Sequence, residues 1–198
     1  MANRFFPLFG NISANQFTNF YVEEESVALF GNVQWDPIEN LTVEVGGRLE
    51  SVDNLISRSK TQRGGGFMPL PPAFASESDG VYFSPSLGAS YALRPETTAF
   101  ARTSLSYKPQ GFTAFSDDAA TTGFDEERSL EIEIGVRYQS FDQSVGAEVR
   151  GYYKRIDDYQ LNQSIPETTD FIIANADRVE ALGIEGEVFW KPVSGLTV

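Results

Sequence analysis

The sequence contains no cysteine and no histidine among its 198 residues. Without Cys there is no disulfide, no thiol nucleophile and no thiolate metal site, and the redox compartment stays open. Without His the usual general base and the usual zinc ligand are missing, which excludes Ser-His-Asp hydrolysis, Cys-His proteolysis and HExxH zinc chemistry. The expectation is a protein that is not an enzyme and carries no cofactor. Positive charge is also scarce: 15 Lys and Arg stand against 28 Asp and Glu, for a net charge of −13. That balance opposes binding to nucleic-acid phosphates and to anionic headgroups, so nucleic acid is not expected as a partner. No stretch approaches the roughly 18 apolar residues of a membrane helix. The apolar run in residues 1–10, broken by Pro7, is too short for a signal-peptide core. Hydropathy alone would read the chain as soluble, but strands that cross a membrane evade such averages because they alternate.

What the chain does have is a period of two, held over long stretches. Residues 25–35 place Val27, Leu29, Gly31, Val33 and Trp35 on one face, and residues 41–51 place Leu41, Val43, Val45, Gly47 and Leu49 on one face. The same alternation returns in 81–91, 98–108, 129–139, 145–153 and 182–190, and an eighth segment begins at 196–198. In 129–139 it is cleanest: Leu130, Ile132, Ile134, Val136 and Tyr138 oppose Ser129, Glu131, Glu133, Gly135, Arg137 and Gln139. A soluble antiparallel sheet with one wet face shows the same pattern.

Three further features favour a membrane. The segments run to lengths of about 11 to 15 residues, against about 5 or 6 for ordinary globular strands, and a tilted membrane strand needs about 9 to 11. Connections alternate between short turns at 36–40, 94–97, 139–143 and 191–195 and long polar segments at 53–80, 109–125 and 158–177. Outer-membrane barrels have this asymmetry, with tight periplasmic turns and long extracellular loops, so the odd-numbered segments descend towards the periplasm. Aromatic residues flank the short turns, Trp35, Tyr91, Tyr138, Phe141 and Trp190 among them, as in a headgroup girdle. The predicted fold class is all-β, an antiparallel transmembrane β-barrel segment with short periplasmic turns and long extracellular loops.

From Ser26 onwards the residues resemble the barrel of TonB-dependent outer-membrane receptors. Ser26-Val27-Ala28-Leu29-Phe30-Gly31, a short turn, and Leu41-Thr42-Val43 running into Gly47-Arg48 resemble that family's Gly-x-Arg hairpin. Ser84-Pro85-Ser86-Leu87 resembles a strand start of the family, and Tyr107 to Gly111-Phe112 a strand running out into a loop. Glu127-Arg128-Ser129 with Glu133-Ile134-Gly135, Tyr152-Tyr153 with Ile156-Asp157-Asp158-Tyr159-Gln160, and Asn175-Ala176-Asp177 with Gly183-Ile184-Glu185-Gly186-Glu187 complete the resemblance. It implies about seven to eight strands of a barrel of about 22. It also implies a bacterial outer-membrane location, contact with lipid, and active import of a scarce nutrient such as a ferric siderophore. TonB would be a partner through a plug domain, and the full-length protein would be a monomer. No TonB box, plug or terminal aromatic strand is visible, and residues 1–198 are expected to be a partial barrel.

On the inner faces Glu44, Arg48, Glu50, Arg102, Glu131, Glu133, Arg137, Glu148, Arg150, Glu185 and Glu187 would line a wet lumen. If the turn near Phe141 sets the register, Arg150 lies opposite Glu131 or Glu133. Arg58, Lys60 and Arg63 form the one basic cluster, and with Phe67 and Phe74 they are the candidate ligand contacts in the longest loop. The runs Glu23-Glu24-Glu25, Asp117-Asp118 and Asp157-Asp158 lack EF-hand spacing, so no metal site is expected. Two other classes remain open: a passive porin or structural barrel, and a soluble carbohydrate-binding β-protein.

Overall fold

The computed structural model describes residues 15–64, 69–164, 171–192 and 196. Among the described residues nine strands follow one another: β1 Asn15–Ile38, β2 Leu41–Arg63, β3 Phe74–Arg94, β4 Thr97–Lys108, β5 Gly111–Phe112, β6 Gly123–Phe124, β7 Glu127–Gln139, β8 Val145–Ser164 and β9 Phe171–Trp190. No helix occurs among the described residues. Seven strands form one antiparallel sheet in the order β1-β2-β3-β4-β7-β8-β9, while β5 and β6 pair as a small separate hairpin. The long sheet is a meander in which each strand pairs with its chain neighbour, the short hairpin excepted. The eighth alternating segment lies outside the described residues apart from Leu196.

The register carries the period of two from strand to strand and shifts only beside two of the turns, between Trp35 and Ile38 and between Ala92 and Arg94. Val33, Val45 and Leu87 pair in one row, and Ala101, Ile134, Gly151 and Ile184 in another. Every residue assigned to the apolar face by alternation thus meets others of that face, as it must, since slipping any strand by one residue would invert its side chains. This face is bare: Ile184 is 83% exposed, Leu182 82% and Val27 78%.

The apolar band has a measurable height. On its outward face charge appears ten positions from the girdle in four strands: Glu25 from Trp35, Arg128 from Tyr138, Arg155 from Val145, and Glu180 from Trp190. Ten residues at about 3.3 Å each make about 33 Å along a strand, or about 25 Å of height at a tilt of about 40°. That equals the apolar band of an outer-membrane barrel.

Strand length departs from the sequence reading. The segments 53–80 and 158–177, expected as long loops, are mostly strand: β2 continues to Arg63, β3 starts at Phe74, β8 reaches Ser164 and β9 starts at Phe171. Above the band polar and apolar residues mix on both faces, so the apolar alternation that announces a membrane strand fades. The backbone ladder, from Glu25↔Asp53 up to Asn15↔Arg63, continues regardless.

β4 and β7 are shorter, at 12 and 13 residues. The β3–β4 ladder begins at Ser86, just after Pro85, whose ring nitrogen has no hydrogen to donate. Pro109 follows the last residue of β4. The sheet is therefore notched, and the chain between β4 and β7 turns inward through the notch.

Candidate functional site

Alternation decides which side chains reach the concave face, and two groups of them matter. The first is a belt of charge at membrane height. Arg137 donates to Glu148 at 2.8 Å, and Arg48 bonds Glu50 at 2.7 Å. Arg150 collects three carboxylates, with Nε 2.9 Å from Glu185 and 3.7 Å from Glu133, and Nη1 3.7 Å from Glu148. Arg102 and Arg137 stack over the Phe100 ring at 4.9 and 5.7 Å. Phe100 lies opposite Gly135, where a Cβ would fall 2.6 Å from both the ring and the Val149 carbonyl. Only glycine admits the ring there.

The expected partner of Arg150 is corrected. It faces Gly135 in β7, and Glu133 sits one diagonal away. The turn is centred on Asp142 and Gln143 instead of on Phe141, because Asp142 accepts hydrogen bonds from the hydroxyls of Ser140 and Ser144, both at 2.8 Å, and Gln143 takes φ 55°. These bonds hold the exposed Asp142 carboxyl down at about 2.

The second group is the inward loop, which the sequence reading placed outside as irregular chain. Residues 109–126 instead fold over the concave face above the band, built around β5 and β6. Thr113 and Thr122 close this hairpin, since Thr113 N donates to Thr122 O at 2.7 Å and Thr122 Oγ1 to Thr113 O at 2.8 Å. Gly111 is needed opposite Phe124, whose ring would stand 2.9 Å from a Cβ. At the tip, Ser116 bonds Thr121 and the backbone of Asp118.

The wall grips this loop from two sides. From β2, Asn54 Nδ2 donates to Gln110 O at 3.1 Å, and from β3 the Tyr82 hydroxyl accepts from Gln110 N at 3.2 Å. From β8, Gln160 Nε2 donates to Pro109 O and Asp125 O, both at 2.9 Å. From β9, Asn175 Nδ2 donates to Asp125 O while its Oδ1 accepts from Asp125 N, both at 2.9 Å. Inner-face Val52 and Ile56 are fully covered where the loop crosses β2.

Arg58 and Lys60 hold the loop tip. Both lie on the inner face of β2, two positions apart, and both bond Asp117: Arg58 Nη2 to Oδ1 at 2.6 Å, and Lys60 Nζ to Oδ2. Partial burial pushes the Asp117 carboxyl up, but the bonds and charges of Lys60 and Arg58 outweigh it and hold the group below its ordinary value.

The five candidate contacts thus separate. Arg58 and Lys60 are strand residues, with Arg58 only 7% exposed, which corrects their expected place in an exposed loop. Phe74 pairs with Arg58 on the inner face. Arg63 is exposed at the end of β2 on the opposite face, and Phe67 lies outside the described residues. The residues that sequence reasoning missed are Asn54, Tyr82, Asp117, Gln160 and Asn175. Gln160 and Asn175 stood in the motifs of the family resemblance with no role assigned, Asn54 and Tyr82 gave no signal of a role, and Asp117 was visible only as half of an acidic pair.

The acidic runs hold no metal cluster among the described residues. Asp157 is bonded by Arg155 and Arg178 at 2.9 Å each, and Glu23 and Glu25 face outward while Glu24 faces in.

Comparison with known proteins agrees with this geometry. The family model for the TonB dependent receptor-like β-barrel matches residues 2–198. The pesticin receptor of Yersinia pestis is 24% identical over 180 residues, covering 88% of this chain and 25% of that protein. The pesticin receptor of Yersinia enterocolitica is 26% identical over the same extent. Among solved structures, the ferric yersiniabactin uptake receptor of Yersinia pestis superposes with a TM-score of 0.73 at 21% identity, covering 92% of this chain and 26% of that one. The ferripyoverdine receptor of the outer membrane of Pseudomonas aeruginosa gives 0.60 at 16% identity, covering 88% and 21%. The chain therefore spans about a quarter of the length of the curated relatives it matches. With the sheet, the band and the family match in agreement, this chain belongs to the TonB-dependent receptor-like β-barrel family and forms a stretch of an outer-membrane barrel wall.

Proposed function

We propose that the chain supplies part of the barrel of an active importer that carries a ferric siderophore across the bacterial outer membrane. The observation that carries this reading is the segregation of the seven-stranded sheet: one face is an apolar band of membrane height, the other a charged inner wall with a loop folded across it. A soluble protein would not leave so broad an apolar face bare. The ferric complex as cargo is supported by the names of two similar structures, a ferric yersiniabactin uptake receptor and a ferripyoverdine receptor.

In the parent protein the energy would come from TonB acting on a plug inside the lumen, against which the belt around Arg150 would pack. The protein would act as a monomer surrounded by outer-membrane lipid. For ligand contact we retain Arg58, Lys60, Arg63, Phe67 and Phe74. Inner-face position supports Arg58, Lys60 and Phe74, while Arg63 and Phe67 rest on charge and aromatic character alone.

The test is uptake of radioactive ferric siderophores by cells whose only siderophore receptor is the full-length protein. Saturable uptake that stops when TonB is deleted is the expected result. Uptake that persists without TonB would favour a porin, and a protein that stays monodisperse without detergent would favour the soluble sugar binder.

A further inference from the structure

We infer that Arg58 and Lys60 form an anion-binding site in the mouth of the barrel, occupied by Asp117 of the inward loop, and that an anionic metal chelate entering from outside competes with Asp117 for it. The inference rests on the import reading, because it needs a solute that enters the lumen.

Position comes first. Arg58 is seven positions beyond Ser51, at the top of the band in β2, which places it about 18 Å above the membrane at the tilt used above. Arg58 and Lys60 project to the same side of the strand. Their cross-strand neighbours carry no charge, since Arg58 sits between Phe20 and Phe74 and Lys60 is opposite Thr18. Among the described residues Asp117 is the carboxylate that bonds them, so two cations share one anion.

Such a pair is held at a cost. A guanidinium as enclosed as Arg58 gives up hydration that one shared carboxylate only partly restores, and the local excess of positive charge favours a ligand with more than one negative charge. Chelates with several carboxylate or catecholate oxygens answer that description. The Phe20 and Phe74 positions flank the guanidinium, where aryl groups of the chelate would find apolar contact.

The loop is attached in a way that lets its tip leave alone. Its base, at Pro109, Gln110 and Asp125, is held by neutral hydrogen bonds from Asn54, Tyr82, Gln160 and Asn175. Its tip reaches β2 through the charged bonds of Asp117. An anion that takes Arg58 and Lys60 frees the tip and leaves the base in place.

The test uses the full-length receptor in detergent, free of other cysteines, with a spin label at Ala119→Cys in the exposed tip. The probe is the diamagnetic trianion tris(catecholato)gallium(III). We expect label mobility to rise as the probe is added. Asp117→Asn should leave the tip mobile without probe and bind the probe roughly tenfold more tightly, since the internal competitor is gone. Arg58→Gln with Lys60→Gln should lose most of the binding, its folding being checked by heat-modifiable gel mobility.

A label that stays immobile at saturation, an Asp117→Asn receptor that binds no more tightly than the parent, or no binding to either would overturn the proposal. Siderophore uptake in cells without an Asp117→Asn effect removes the latch and spares the import reading. Tighter binding by Asp117→Asn without uptake removes the import reading alone.

Discussion

The side-chain amide of Gln160 donates at 2.9 Å to the carbonyl of Asp125, and the same nitrogen donates at 2.9 Å to Pro109, so one side chain ties both ends of the inward loop. Gln160 is only 6% exposed, and its removal would take the side-chain donor from the Pro109 carbonyl and leave the Asp125 carbonyl with Asn175. Gln160→Ala is expected to destabilise the loop locally by about 1–3 kcal/mol. Hydrogen exchange at residues 109–126 should quicken while exchange in β1 and β9 stays as it was.

Phe100 and Gly135 test the belt. Gly135→Ala places a methyl 2.6 Å from the ring and from the Val149 carbonyl, and the carbonyl belongs to a paired strand that cannot step aside. A loss of about 1–3 kcal/mol is expected, as for overpacking elsewhere. Gly31→Ala meets nothing within 4 Å and should be silent. Urea titration of both variants refolded in vesicles checks the contrast.

Ile134 lies four positions above Tyr138 and six below Arg128 on the outward face, close to the middle of the band. Ile134→Arg is expected to cost about 2–4 kcal/mol in the same vesicle assay, and a substitution at the level of Arg128 about 1 kcal/mol or less. Equal costs at both heights would contradict the placement of the membrane.

Asp117 gives the loop an acid limit. Its carboxyl titrates below the ordinary 3.8, so its contribution is complete above that value and is lost as pH falls through the lower folded value. The spin label at Ala119→Cys should stay immobile from neutral pH down to about pH 4 and loosen below it. In Asp117→Asn the mobility should be independent of pH over the same range.

The alternation of Val27 to Trp35 or Leu130 to Tyr138 was sufficient to identify β1 and β7, assign their faces and locate the short turns. The period of a strand is written in consecutive side chains, and a band facing lipid forces it to be strict. The family resemblance could be read for the same reason, since its motifs sit in those strands. Between Val52 and Arg63 the strand was not recognised as such, because above the membrane polar residues stand on both faces and the loop that covers the inner one comes from a distant part of the chain.

What the tertiary structure alone decided is which distant residues meet. Gln160 finds Pro109, Arg58 finds Asp117, and Arg150 stands opposite Gly135 with Glu133 on the diagonal. The first two depend on a loop turning inward through a notch, which has no local signature, and the third on a turn centred one residue later under the local hydrogen bonds of Asp142. The sequence by itself determined a wall with one face for lipid and one for water, because a two-residue period needs no partner to be read. How that wall is closed from within was decided by contacts between residues about fifty positions apart, where only packing chooses the partners.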